Sequence, residues 1–130
     1  MTGKVVNEAS GRITYHYGNN HTGVDIGWRR DENQNKVFAH SSGKVVVVVN
    51  GKGSYPYNDG TLSTYGNYVD IDHGNGYKTR YAHLKMVFVS IGQSVNSNTL
   101  IGVIGESGNA KGRHLHFEVQ KTVSASTRID

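Results

Sequence analysis

Tyr68-Val69-Asp70-Ile71-Asp72-His73-Gly74-Asn75-Gly76-Tyr77-Lys78-Thr79-Arg80-Tyr81-Ala82-His83 is the stretch on which the fold turns. Residues 68–72 alternate with a period of two, which puts Val69 and Ile71 on one face and the two carboxylates on the other. His73-Gly74-Asn75-Gly76 has the composition of a hairpin turn, and Tyr77 to His83 reads as the returning strand. Outward from this hairpin, Lys44–Asn50 is a valine run expected to form a strand buried on both faces. Met86–Val89, Leu100–Ile104 and Leu115–Gln120 are expected as three more short strands, and Val37-Phe38-Ala39 as another. Glycine interrupts nearly every window that could be helical. The expectation is an all-β fold, a predominantly antiparallel sheet with long loops forming a groove. Asn50–Gly66, rich in glycine, serine, tyrosine and asparagine, is a long loop that could rim such a groove or be a plain surface insertion.

The bulk properties agree with one globular domain spanning 1–130. The chain has 130 residues, 35% apolar residues and 17 glycines, which lies within the globular range once glycine is counted. Its longest aliphatic run, Val45–Val49, is far short of the ~20 residues of a membrane helix, so insertion into a membrane by a helix is excluded. There is no cysteine, so disulfides and a cysteine nucleophile are excluded and any metal is held by nitrogen and oxygen. Fourteen lysines and arginines against ten acidic residues give a net charge of +4, which suits an anionic partner such as nucleic acid, an acidic polymer or a cell envelope. The start, Met-Thr-Gly-Lys-Val-Val-Asn-Glu, has no apolar stretch of the kind a secretory signal needs.

Seven histidines are a high count for this length, and their contexts are suggestive. In His114-Leu115-His116-Phe117-Glu118-Val119, strand alternation puts His114, His116 and Glu118 on one side and Leu115, Phe117 and Val119 on the core side. The two imidazoles then stand about 6–7 Å apart at Cα. His21-Thr22-Gly23-Val24-Asp25 supplies a second pair. Fully extended, its ends lie about 13 Å apart, so convergence on one ion needs a bend, which Gly23 could provide. His21, Asp25 and His116 would make three zinc ligands and leave one position for water. Taken singly, each residue has a plainer reading: a strand histidine is more often hydrogen-bonded surface or core, and an aspartate more often a turn residue.

Four segments in order resemble the lysostaphin-type family of zinc endopeptidases, which cut peptide bonds in bacterial peptidoglycan. They are His21-Thr22-Gly23-Val24-Asp25-Ile26; Val69–Tyr77 leading into Tyr81-Ala82-His83-Leu84; Ile101-Gly102-Val103-Ile104-Gly105-Glu106-Ser107-Gly108 followed by Gly112-Arg113; and His114-Leu115-His116-Phe117-Glu118-Val119. The resemblance runs from about Gly11 to Val119. It implies that His21, Asp25 and His116 bind one zinc ion per chain, and that His83 and His114 are the catalytic histidines beside a zinc-bound water that acts as nucleophile. The implied partner is bacterial peptidoglycan, not nucleic acid, and the implied protein is a monomer acting on the bacterial cell wall. Tyr15 and Tyr17, just before the first motif, are candidates to line the substrate groove, with core packing as the alternative. Glu118 either orients an imidazole or is a solvated strand residue. His73 is expected to be a solvent-facing turn residue and His40 to be peripheral.

Only Gly18-Asn19-Asn20 separates Tyr17 from His21, so the groove wall there is expected to be reduced. The chain ends at Arg128-Ile129-Asp130, about where domains of this family continue. The expectation is therefore the catalytic part of a longer protein, such as an antimicrobial phage endolysin or tail protein, or of an exported protein. Two other readings compete with the enzyme. A non-catalytic wall-binding or scaffold module of the same fold is expected to lose ligands, whereas all five key residues are present here. A small lipoyl-like β-domain gives no reason for the histidines and needs a lysine-bearing hairpin tip that is not evident.

Overall fold

The computed structural model describes residues 13–17, 21–27, 35–52, 65–108 and 114–121, with the backbone path alone at 13–17, 21–24 and 27. Nine strands appear among them: β1 (Ile13–Tyr17), β2 (His21–Gly27), β3 (Lys36–Phe38), β4 (Gly43–Val49), β5 (Asn67–Asp72), β6 (Tyr77–Val87), β7 (Ser94–Val95), β8 (Leu100–Ile104) and β9 (His114–Lys121). All pairings are antiparallel, in the order β1-β2-β9-β6-β5-β4-β7, and β8 joins β6 and carries β3 as a side branch. The described residues are all-β, as the alternation and the glycine turns lead one to expect. None of them forms a helix long and apolar enough to cross a membrane.

The hairpin at 68–83 is present. Val69 and Ile71 are fully buried, and the turn closes with the His73 N–H donating to the Tyr77 carbonyl at 3.1 Å, helped by left-handed Gly74 and Gly76. β9 alternates as expected, with Leu115 and Phe117 packed in the core beside Ile26, Val45, Val69, Ile71 and Tyr81. The β3–β8 branch adds Val37, Ile101 and Ile104 to the same core.

Four expectations need correction. β4 is not buried on both faces: Val45 is covered, but Val46, on the opposite face, is 39% exposed. Met86 and Val87 do not begin a new strand, since β6 runs on through them to pair with β8. His40 is buried rather than peripheral: its N–H donates to the Tyr81 hydroxyl at 3.0 Å and its ring stacks on Phe117. His73 does not simply face solvent, because Nδ1 meets the Ser42 carbonyl at 2.8 Å and Nε2 meets the Thr79 hydroxyl at 2.8 Å, tying the turn to the segment before β4.

The feature that shapes the site is a fork in β6. Tyr77 to Ala82 pair with β9, whereas Leu84 to Val87 pair with β8. Against β5, two residues of β6 (Ala82 and His83) stand between partners of Asn67 and Val69, where β5 has only Tyr68, which is a β-bulge. His83 sits at this bulge with φ 63°, in the left-handed region, which is unusual outside glycine. Its N–H donates to the Tyr65 carbonyl at 2.9 Å, and its own carbonyl accepts from Gly105 N–H at 3.0 Å. Strict alternation would send His83 into the core with Thr79 and Tyr81; the extra residue sends Leu84 there instead and His83 to the opposite face.

The loop behind His83 is pinned closely. The Ser107 hydroxyl donates to the Leu84 carbonyl at 2.8 Å and accepts from the Asn67 N–H at 3.0 Å. Gly66, with φ 67°, lies so close that a Cβ there would fall well inside van der Waals contact with Ser107. Gly66→Ala therefore meets both left-handed strain, roughly 1–2 kcal/mol, and a backbone clash. Gly51→Ala meets the strain alone, since its φ of 80° opens onto empty space. Thermal unfolding is expected to show a clearly larger loss for Gly66→Ala; equal losses would show that Ser107 yields easily. A second expectation concerns Tyr81, whose hydroxyl is pushed up from 10.0 to about 12 by burial. Below pH 10 both states keep the proton; between 10 and 12 only the folded state does, so stability falls as pH rises through this window. Tyr81→Phe is expected to remove that part of the alkaline loss, measured as the difference in unfolding free energy between pH 9 and about pH 11.

Candidate metal centre and histidine cluster

β2 and β9 pair in unbroken register, which sets Asp25 directly opposite His116. Directly opposed residues share a sheet face, so the carboxylate and the imidazole meet: Oδ1 of Asp25 lies 2.7 Å from Nδ1 of His116. His114, two residues earlier on the same face of β9, brings Nε2 to 3.7 Å from that oxygen, close but beyond hydrogen-bond range. From β6, the bulge delivers His83, whose ring centroid is 4.8 Å from that of His114 and 6.2 Å from that of His116. Ala82, opposite His116, presents only a methyl group beneath these rings.

The partners of each ring determine its state. Nδ1 of His83 lies 2.7 Å from the Ser107 carbonyl, and a carbonyl can only accept, so Nδ1 carries the proton. In the neutral ring Nε2 is then the free base. Burial holds His83 below the usual histidine range; the Ser107 bond opposes this, and the neighbouring His114 and His116 add to it. His116 shifts the other way. Burial would lower it, but hydrogen bonds to Glu118 and Asp25 outweigh burial and raise it. Its Nε2 donates to Oε1 of Glu118 at 2.7 Å. Glu118 is 2% exposed, so it is not a solvated strand residue but a buried acceptor that orients His116. Burial would raise this carboxyl; bonds from His116, Gln120 and Tyr65 hold it at about 2.

The donor set around Asp25 suits a borderline metal such as zinc, which takes imidazole nitrogen and carboxylate oxygen. Nδ1 of His116 and Oδ1 of Asp25 converge, while Nε2 of His116 is held by a buried carboxylate, the usual support of a metal-binding histidine. Among the described residues no third histidine or carboxylate completes a metal-holding group. His21 opens β2 opposite Gln120, and its side chain lies outside the described residues. The expected bend at Gly23 is not seen: Gly23 is paired on both sides, with His16 in β1 and Glu118 in β9, and the two ladders keep β2 extended. Tyr15 and Tyr17 pair with Val24 and Thr22, out of phase with Asp25, and their side chains also lie outside the described residues.

Sequence reasoning passed over Tyr65, Arg80, Asp70 and Ser107. The Arg80 guanidinium grips fully buried Asp70 through two bonds of 2.7 and 2.8 Å, and Lys78 adds a third at 3.2 Å. This pair was within reach, since the hairpin turn at 73–76 puts Asp70 across from Arg80. Tyr65 and Ser107 carry no comparable signal, because they reach the site from loops.

Residues 19–128 match the model of Peptidase family M23. The chain is 42% identical over 83 residues to peptidoglycan DD-endopeptidase ShyA of Vibrio cholerae, a match covering 64% of this chain and 17% of that protein. The chain thus spans less than a fifth of that relative's length. Among solved structures, a zinc-containing peptidase from Vibrio cholerae superposes with a TM-score of 0.68 at 32% identity, over 90% of this chain and 35% of that one. The catalytic domain of lysostaphin from Staphylococcus simulans superposes with a TM-score of 0.57 at 30% identity, over 83% and 73% of the two chains. With a family match over most of its length and an antiparallel sheet that brings Asp25, His83, His114 and His116 together, this chain belongs to peptidase family M23.

Proposed function

We propose that the chain is a zinc-dependent endopeptidase that hydrolyses peptide bonds in bacterial peptidoglycan, with His21, Asp25 and His116 as ligands of one zinc ion and His83 and His114 as the catalytic histidines. The observation that carries this reading is the convergence of one carboxylate and three imidazoles on a single sheet face, with Nδ1 of His116 turned to Asp25. His21 enters as the third ligand on the His-x-x-x-Asp pattern of the family; on the extended β2 residues 21 and 25 share one sheet face, so in this reading side-chain reach, not a backbone bend, brings them to one ion. When bound, zinc supplies a Lewis acid that polarises the scissile carbonyl and acidifies water.

The histidines supply the proton transfers. Nε2 of His83 is unprotonated in the neutral ring and is held below the usual histidine range, so it is ready to accept a proton from the attacking water. His114 stands 4.8 Å from it, ring to ring, and can hydrogen-bond the developing oxyanion or return a proton to the leaving amine. There is no His-Glu-x-x-His motif, so no glutamate of that type competes for this role. The net charge of +4 favours approach to an anionic wall. We take the protein to be a monomer acting on the bacterial cell wall, with the relatives' names supporting that substrate. Of the two readings of Tyr15 and Tyr17, groove lining and core packing, the register favours the second, since they stand opposite Val24 and Thr22 and not on the face of Asp25.

Mass spectrometry of glycine-bridged and directly cross-linked peptidoglycans, incubated with and without a zinc chelator, tests the reading. New amino termini that vanish with chelator are expected, and their masses identify the bond. Absence of cleavage from every wall type, with zinc bound, would instead favour a wall-binding module. Single substitutions separate the roles. His116→Ala and His21→Ala are expected to lose zinc and turnover together. His83→Ala and His114→Ala are expected to keep zinc, read by elemental analysis, while turnover falls by about 10²–10⁴-fold. Equal zinc loss in all four would overturn this division of labour.

A further inference from the structure

We propose that Tyr65 is a positioning residue for the metal centre: it fixes Glu118, and through Glu118 it determines that His116 presents Nδ1 to Asp25. The proposal rests on the zinc-site reading above and extends it to a loop residue. The Tyr65 hydroxyl donates to Oε1 of Glu118 at 2.9 Å, the same oxygen that accepts Nε2–H of His116 at 2.7 Å. Gln120 donates to the other oxygen, Oε2. Both oxygens are therefore engaged, and rotating the buried carboxylate away from His116 means breaking the bonds from Tyr65 and Gln120 together.

Tyr65 is itself held from three sides. Its carbonyl accepts the His83 N–H at 2.9 Å, so one residue ties the backbone of one site histidine to the carboxylate that supports another. Its ring lies 6.0 Å from the His116 ring. The Arg80 guanidinium stands 4.6 Å from its centroid and equally far from that of Tyr68. Arg80 is in turn fixed by its two bonds to Asp70, which is fully buried. A rigid chain thus runs from β5 through Arg80 and Tyr65 to Glu118 and His116.

Tyr65→Phe keeps the ring and removes only the hydroxyl, and Glu118→Gln keeps the shape of its side chain. Two readouts apply to each variant, after an amide spectrum has confirmed the fold. The first is the proton resonance of His116 Nε2–H in the metal-free protein, assigned by its loss in His116→Ala. In the wild type this proton is expected to be sharp and protected from exchange; in Tyr65→Phe it should exchange faster, and in Glu118→Gln faster still. The second is zinc affinity by chelator competition, expected to fall about 10–100-fold in Glu118→Gln and by a smaller factor in Tyr65→Phe. Wild-type exchange and wild-type affinity in Tyr65→Phe would overturn the proposal. Failure of the wild type to bind zinc would overturn the metal reading instead, and the exchange of the His116 proton would still decide the role of Tyr65.

Discussion

One residue too many in β6 is the constraint on which the site depends. Side chains of a strand alternate between faces, and a sheet with a buried face enforces that alternation strongly. Thr79 and Tyr81 obey it and lie in the core. His83 would follow them there, and a histidine in that apolar layer would have to find partners for both nitrogens. The bulge turns the chain at this residue, and the fork into β8 holds the turn: Gly105 closes on the His83 carbonyl and then on His114 N–H, so the bridge that ends one pairing begins the next. The left-handed backbone of His83 costs about 1–3 kcal/mol in general terms. Strand pairing on three sides of the bulge opposes that cost, and the ring is delivered to the face that carries Asp25, His114 and His116.

Around that face, two buried carboxylates are handled in different ways. Asp70, with no exposed side chain, is neutralised by Arg80 and Lys78. Glu118 is held instead by donors from His116, Gln120 and Tyr65, of which His116 is itself shifted toward its charged form. A buried charge without partners is costly, so each arrangement restricts movement of everything it touches. Among the described residues no buried side-chain nitrogen or oxygen lacks a hydrogen-bond partner. The side chains beneath the face that carries Asp25, His114 and His116 are therefore held by complete hydrogen bonding.

The hairpin at 68–83 and the alternation of 114–119 were legible because each rests on neighbours in sequence, whose side chains go to fixed faces with a period of two. The opposed pair Asp25 and His116 was legible as chemistry from the family pattern, but its contact depends on the register of β2 against β9 over a separation of 91 residues, which no local rule contains. The same limit explains the misjudged residues. His40 looks peripheral from its neighbours, but Tyr81 and Phe117, which bond it and stack on it, come from distant strands; His73 looks like a plain turn residue, but it also bonds the Ser42 carbonyl, 31 residues away. The valine run at 45–49 looks like a strand covered on both faces, yet burial is set by what the whole fold packs over each face, and Val46 lies on the open one.

By itself, the sequence determined that the chain is all-β, that cysteine and membrane-helix chemistry are absent, and that its histidine motifs follow those of a zinc peptidase family. These are properties of composition, alternation and motif order, and they survive without coordinates. Only the tertiary structure decided that Glu118 is a buried acceptor, that Ser107 assigns the proton on His83, and that Tyr65 and Arg80 belong to the site's support. Hydrogen-bond partners and burial arise from strand register and loop closure, and those are settled by the packing of the whole sheet rather than by any segment of it.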